Sequence, residues 1–265
     1  MKYLSTRNSK LQEGFIDILS QGLSKDGGLF LPRNWPSIDI NKLRNKSYEE
    51  VAFNIINPFV GGEISEDELY KVIFSTYKNF SHNKIAPLVK IDTNKHILEL
   101  FYGPTLAFKD YAMQFLGNIF SNVMQHKNNK ITILGATSGD TGSAAIEAFR
   151  GKEKINVFIL HPHKKVSEVQ RRQMTTVLDK NIFNIAIEGN FDDCQRIVKD
   201  LFLDQETQNK TSFTAINSIN WARLMAQIVY YFWGYLQLEE KKVSFIVPSG
   251  NFGNIFSAHI AQKMG

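Results

Sequence analysis

The stretch Ile131-Thr132-Ile133-Leu134-Gly135-Ala136-Thr137-Ser138-Gly139-Asp140-Thr141-Gly142 decides the fold. Its apolar opening is short enough for a buried strand and runs straight into a glycine turn. A helix-forming pattern follows. Phe245-Ile246-Val247-Pro248 leads in the same way into Ser249-Gly250-Asn251-Phe252-Gly253, and then into a helix carrying Ile255, Phe256, Ala258 and Ile260. Three further apolar runs are Ile97-Leu98-Glu99-Leu100-Phe101, Val157-Phe158-Ile159-Leu160 and Phe183-Asn184-Ile185-Ala186-Ile187. Helical stretches lie between them, one holding Leu116, Ile119, Phe120 and Val123, another Leu224, Ile228, Tyr231 and Phe232. Strands alternating with helices predict βαβ units on a parallel sheet, an α/β fold. Such sheets take ligands beyond the carboxyl ends of their strands.

Upstream the rhythm differs. Leu11, Phe15, Ile18 and Leu19 recur at helical spacing, and Ser65-Glu66-Asp67-Glu68 reads as a capping box ahead of Leu69, Val72 and Ile73. We expect a mostly helical N-terminal domain over residues 1–95 and an α/β domain over 96–265. The chain stops on a freshly opened helix, so the reading expects further strands and helices beyond Gly265 and an incomplete α/β domain without them.

Hydrophobic residues make up 43% of the 265-residue chain and charged residues 22%, which excludes a disordered or fibrous protein. No apolar run is long enough to cross a membrane, and the N-terminus has no secretory pattern. Lys and Arg exceed Asp and Glu by 31 to 26, a net +5. The densest cations, Lys164-Lys165 and Arg171-Arg172 near His161 and His163, lack the interleaved aromatics of a nucleic-acid surface. A solvated face or a small-anion site fits them better. The single cysteine, Cys194, cannot form an internal disulfide, which points to a reducing, cytoplasmic compartment and to a packing role.

Three elements carry chemistry. The two Ser-Gly-(Asp/Asn)-x-Gly turns each place glycine backbone and a helix N-terminus where an anion can approach. Neither matches a dinucleotide or P-loop pattern. The third element is Phe101-Tyr102-Gly103-Pro104-Thr105-Leu106-Ala107-Phe108-Lys109-Asp110-Tyr111, which puts a lysine on the first turn of an apolar helix. A cation is unfavourable there, and partial burial would lower its pKa and free its amine as a nucleophile. The plainer alternative is a surface lysine paired with Asp110.

Gly103–Asp110, the two glycine turns and Gly22-Leu23-Ser24-Lys25-Asp26-Gly27-Gly28-Leu29-Phe30-Leu31-Pro32 together resemble the threonine synthases, across essentially the whole chain and in order. The resemblance implies the parallel-sheet architecture of fold-type II pyridoxal-phosphate (PLP) enzymes. It also implies conversion of O-phosphohomoserine and water to threonine and phosphate, the last step of threonine biosynthesis. Carried over by residue, Lys109 would form the Schiff base with pyridoxal 5'-phosphate. Phe108 would lie against the cofactor, and Gly250, Asn251, Phe252, Gly253 and Asn254 would hold its phosphate. Thr105, Ser138, Gly139, Asp140 and Thr141 would meet the substrate, and Asn217 and Arg223 would take the substrate phosphate, Asn217 also capping a helix with Arg223 on its second turn. The partner would be a small-molecule substrate, with neither nucleic acid, membrane nor metal. Family members continue past this length, and that further part supplies a Ser or Thr facing the pyridine nitrogen. Two alternatives stay open: another fold-type II lyase such as a serine or threonine dehydratase, and an inactive fragment that binds anions.

Overall fold

The structure is a computed structural model that describes residues 1–127, 129–204, 206, 213–215, 220–239 and 242–265. Strands β1 (Tyr3–Ser5), β2 (Asn8–Glu13) and β3 (Phe30–Pro32) form an antiparallel sheet in the order β2-β1-β3. Helices α1 (Phe15–Gln21), α2 (Tyr48–Val60) and α3 (Glu66–Tyr77) complete this part, with a 3₁₀ turn at Ile40–Leu43. The sequence reading has helices here but not the sheet. Leu11 lies on β2, and the helical spacing starts only at Phe15. The Ser65 capping box forms as expected, Ser65 Oγ accepting from the Glu68 amide.

A hairpin of β4 (Leu88–Asp92) and β5 (Lys95–Leu98) follows. Ile97–Phe101 therefore does not join the parallel sheet. Lys90 and His96 face each other across a two-residue turn at Thr93-Asn94, and short-range antiparallel pairing prevails. Then come α4 (Lys109–Gln125), β6 (Ile131–Ala136), α5 (Asp140–Phe149), β7 (Ile155–Pro162), α6 (Glu168–Thr175), β8 (Ile182–Ile187), α7 (Phe191–Leu203), β9 (Phe213–Ala215), α8 (Trp221–Leu236) and α9 (Gly253–Met264). The parallel sheet has the order β8-β7-β6-β9. After β6 the chain steps outward through β7 and β8, then returns to β6's other side as β9. That reversal between β6 and β9 is a topological switch point, where such sheets open a crevice.

Two sequence expectations change here. The strand beside β6 is Phe213-Thr214-Ala215, only three residues behind a polar stretch, so its period carries no signal. Val243–Val247 is not a strand: among the described residues no strand offers it a ladder, Ile246 is 98% exposed, and the segment is held by side chains such as Phe245 against Tyr231 at 5.0 Å.

The main core is an apolar cluster running from Tyr3 to Met264, with a smaller one around Leu134, Leu160 and Cys194. Its centre is α8, buried on nearly every face. Trp221 at the head of α8 meets Tyr3, Trp35 and Phe59, with ring centroids 5.2 to 6.2 Å away. A second string of rings, Tyr48, Tyr77 and Tyr111, ends on Tyr230 of the same helix. The N-terminal segment and α4 thus pack on one helix. Cys194 is fully buried on α7 against the sheet residues Leu134 and Leu160, consistent with packing.

Candidate functional site

Lys109 is the first residue of α4. The loop before it is built around Asp110, whose carboxylate accepts from the Thr105 amide at 2.8 Å and from the Thr105 hydroxyl at 2.7 Å. A Cβ on Gly103 would come within 2.4 Å of the Asp110 side chain, so only glycine admits this closure. Asp110 is therefore committed to its own loop, and the surface-pair alternative for Lys109 does not hold. Lys109 is half-buried, its Nζ 4.6 Å from the centre of the Phe108 ring. Burial lowers its pKa from 10.5 to about 8; the nearby Arg223 charge adds to the shift and Asp140 opposes it.

A cavity of about 200 Å³ opens at Lys109. Phe108, Lys109, Gln227, Pro248, Ser249, Gly250, Asn251, Gly253 and Asn254 line it, so the sequence-predicted lysine and the second glycine turn meet there. The turn ends in α9, whose first turn carries no acid and whose cap, Phe252, gives no side-chain hydrogen bond. Its start, Gly253 and Asn254, lines the cavity, and the unpaired amides and dipole of a helix N-terminus suit an anion. A Cβ on Gly250 would meet nothing within 4 Å, so the backbone there stands clear. The strained position is Phe252 itself, at φ 56°. Asn254 is fixed from below: Tyr231 donates to its Oδ1 at 2.7 Å, and Tyr230 also bonds that oxygen.

The first glycine turn is built differently. The Thr137 hydroxyl accepts from the Gly139 and Gly142 amides at 3.1 and 2.9 Å and donates to the Gly139 carbonyl. Two of its amides are thus taken, and Asp140 places a carboxylate in the first turn of α5. Ser138 and Asp140 are exposed; Gly139 is buried beside Gln170. The helix α6 ties this turn to the lysine loop, the Gln170 amide bonding Asp140 and the Gln173 amide donating to the Thr105 carbonyl at 3.1 Å. Arg171 and Arg172, from the densest cationic cluster, both pair with Glu168 on this helix.

Arg223 is fully buried, and burial lowers its pKa to about 10. It lies in the first turn of α8 rather than the second. The helix is capped by Asn220, three residues after the expected cap, its side chain accepting from the Ala222 amide at 2.9 Å, and Trp221 begins the helix. Asn217 lies outside the described residues.

The sequence motifs single out Arg223 but not the rest of the site's floor. Arg223, Gln227, Tyr230 and Tyr231 fall at i, i+4, i+7 and i+8 on a helix otherwise almost wholly apolar. That spacing puts them on one face. Each touches the site: Arg223 through its charge on Lys109, Gln227 in the cavity wall, and the tyrosines under Asn254. A polar stripe at helical period on a buried helix was the available signal.

A parallel sheet with a switch point, a lysine of lowered pKa and a helix N-terminus sharing its cavity define a lysine-centred anion site on an α/β scaffold. Residues 84–264 match the family model "Pyridoxal-phosphate dependent enzyme", and residues 2–77 match "Threonine synthase N terminus". The chain belongs to the pyridoxal-phosphate-dependent enzyme family. It is 50% identical to a threonine synthase of Pseudomonas aeruginosa, covering 100% of this chain and 58% of that one, and 45% identical to that of Saccharomyces cerevisiae, covering 99% and 55%. A crystal structure of PLP-bound threonine synthase from Brucella melitensis superposes with a TM-score of 0.95 at 49% identity, over 100% of this chain and 58% of that chain. The chain thus spans little more than half the length of these relatives. Among the described residues no helix is long and apolar enough to cross a membrane, and no group of His, Cys, Asp or Glu could hold a metal.

Proposed function

We propose that this protein binds pyridoxal 5'-phosphate at Lys109 and converts O-phosphohomoserine and water to threonine and phosphate. The observation that carries the reading is the shared cavity: a lysine with a pKa of about 8 beside an acid-free helix N-terminus. The residues fit the cofactor. The amides of α9 and the open backbone at Gly250 suit its phosphate, with Asn251, Phe252, Gly253 and Asn254 completing the turn, and Phe108 offers an aromatic wall beside its ring. Bound there, the cofactor supplies an electron sink for carbanion chemistry at the substrate's amino carbon.

The chain's own residues do the rest. Lys109 offers a neutral amine to the cofactor aldehyde and, once released, takes and returns a proton at the substrate carbons. Ser138, Gly139, Asp140, Thr141 and Thr105 border the substrate at the mouth of the switch point. Arg223 gives the floor a buried positive charge that favours a dianionic substrate, and Asn217 joins it in holding the substrate phosphate. The sharing of this name by relatives of 45–50% identity supports the substrate. We keep residues 1–95 and 96–265 as the division of labour, the first bracing α8 and the second carrying the site. The buried single cysteine supports a reducing, cytoplasmic setting.

The test is phosphate release from O-phosphohomoserine by the chain with added pyridoxal 5'-phosphate, beside Lys109→Ala. Lysine-dependent release supports the reading. Ammonia release from serine instead would assign a dehydratase, and release that survives Lys109→Ala would remove the site.

A further inference from the structure

Gln227 is 2% exposed, yet it lines the cavity that holds Lys109. Its Oε1 is buried and has no hydrogen-bond partner among the described residues. Buried side-chain carbonyls in folded proteins nearly always have a donor, so an unpaired one in a cavity wall marks the place of a group the chain does not supply. The Tyr230 and Tyr231 hydroxyls on the same helix face both go to Asn254 and not to Gln227. Gln227 lies one helical turn from Arg223 and one from these tyrosines, and it lines the same cavity as Lys109 and the start of α9. A ligand whose anion meets the start of α9 and whose aldehyde reaches Lys109 shares its cavity with Gln227.

We propose that Gln227 is a ligand-contacting residue whose carbonyl accepts a hydrogen bond from a neutral donor, a ring hydroxyl, on an aromatic aldehyde phosphate bound in the Lys109 cavity. This rests on the cofactor reading above and adds to it a residue and an orientation: the hydroxyl-bearing edge of the ring faces α8. The side chain is then a selector for the ring, not for the phosphate.

The experiment titrates the 265-residue chain and its Gln227→Met variant with pyridoxal 5'-phosphate, pyridoxal and inorganic phosphate, followed by tryptophan fluorescence and absorbance. Far-UV circular dichroism checks the fold, and Gln227→Glu, which keeps an acceptor, is titrated with pyridoxal. We expect Gln227→Met to bind both aldehydes about tenfold more weakly, the loss of one hydrogen bond, with inorganic phosphate unchanged. Gln227→Glu should hold pyridoxal at least as well as the unsubstituted chain. Unchanged aldehyde affinity in Gln227→Met, or a loss shared equally by inorganic phosphate, overturns the assignment while leaving the cofactor reading intact. If the unsubstituted chain itself binds no pyridoxal phosphate, the cofactor reading fails and the assignment with it.

Discussion

Lys109 should react as an amine well below the pH at which an unperturbed lysine does. Its pKa of about 8 lies 2.5 units below the ordinary 10.5. At pH 8 about half its amines are neutral, against about 0.3% for an unperturbed lysine, a ratio of roughly 150. The cause is burial first and the Arg223 charge second, with Asp140 working against them. The sign follows: below the folded pKa the amine is protonated and protected, and reactivity climbs through pH 8 instead of through 10.5. Between those two values the folded chain binds fewer protons than the unfolded one, so this residue makes stability rise with pH there. Competitive labelling of the cofactor-free chain with a trace amine reagent from pH 6 to 11, read by peptide mass, gives each lysine's apparent pKa. Arg223→Met should raise that of Lys109, since it removes a positive charge. An apparent pKa near 10.5 for Lys109, or one that Arg223→Met leaves untouched or lowers, would refute the electrostatic account.

Three further outcomes follow from the geometry. Thr137→Val removes the hydroxyl that serves Gly139 and Gly142; the Gly142 amide keeps the Gly139 carbonyl but the buried Gly139 amide loses its partner, so urea denaturation should show a loss of about 1–3 kcal/mol. Phe252→Gly relieves a left-handed backbone at a side chain that is 67% exposed, and the same assay should show a gain of about 1 kcal/mol. Asn220→Ala removes the cap of α8 and should cost about 1 kcal/mol, whereas a substitution at an uncapped helix start such as Phe108 should not act through capping.

The parallel sheet was legible where its period was clean. The runs Ile131–Leu134, Val157–Leu160 and Phe183–Ile187 all became strands because each is short, apolar and followed by a turn. Val243–Val247 has the same composition but no strand beside it among the described residues, and composition alone does not report which strand would pair with it. Ile97 belongs to a hairpin because Thr93-Asn94 lets Lys90 find His96 locally, a pairing that a search for alternating strands and helices overlooks. The cavity residues Lys109, Gly250, Asn251, Gly253 and Asn254 stood out because a lysine at a helix start and a glycine turn each break a local rule. Gln227 and the tyrosines break no local rule. They are polar residues inside a helix, and only the burial of that whole helix gives them meaning. The helix cap moved from Asn217 to Asn220 because either asparagine can cap, and the choice rests with where Trp221 packs, among Tyr3, Trp35 and Phe59.

The account stands on one cavity binding one cofactor through one lysine. Its most direct test is a spectrophotometric titration of the chain with pyridoxal 5'-phosphate, then borohydride reduction and peptide mapping of the trapped adduct. We predict saturable binding at one site, with the reduced adduct on Lys109 and lost in Lys109→Ala. Binding that Lys109→Ala leaves unchanged, or an adduct spread over surface lysines, would contradict it.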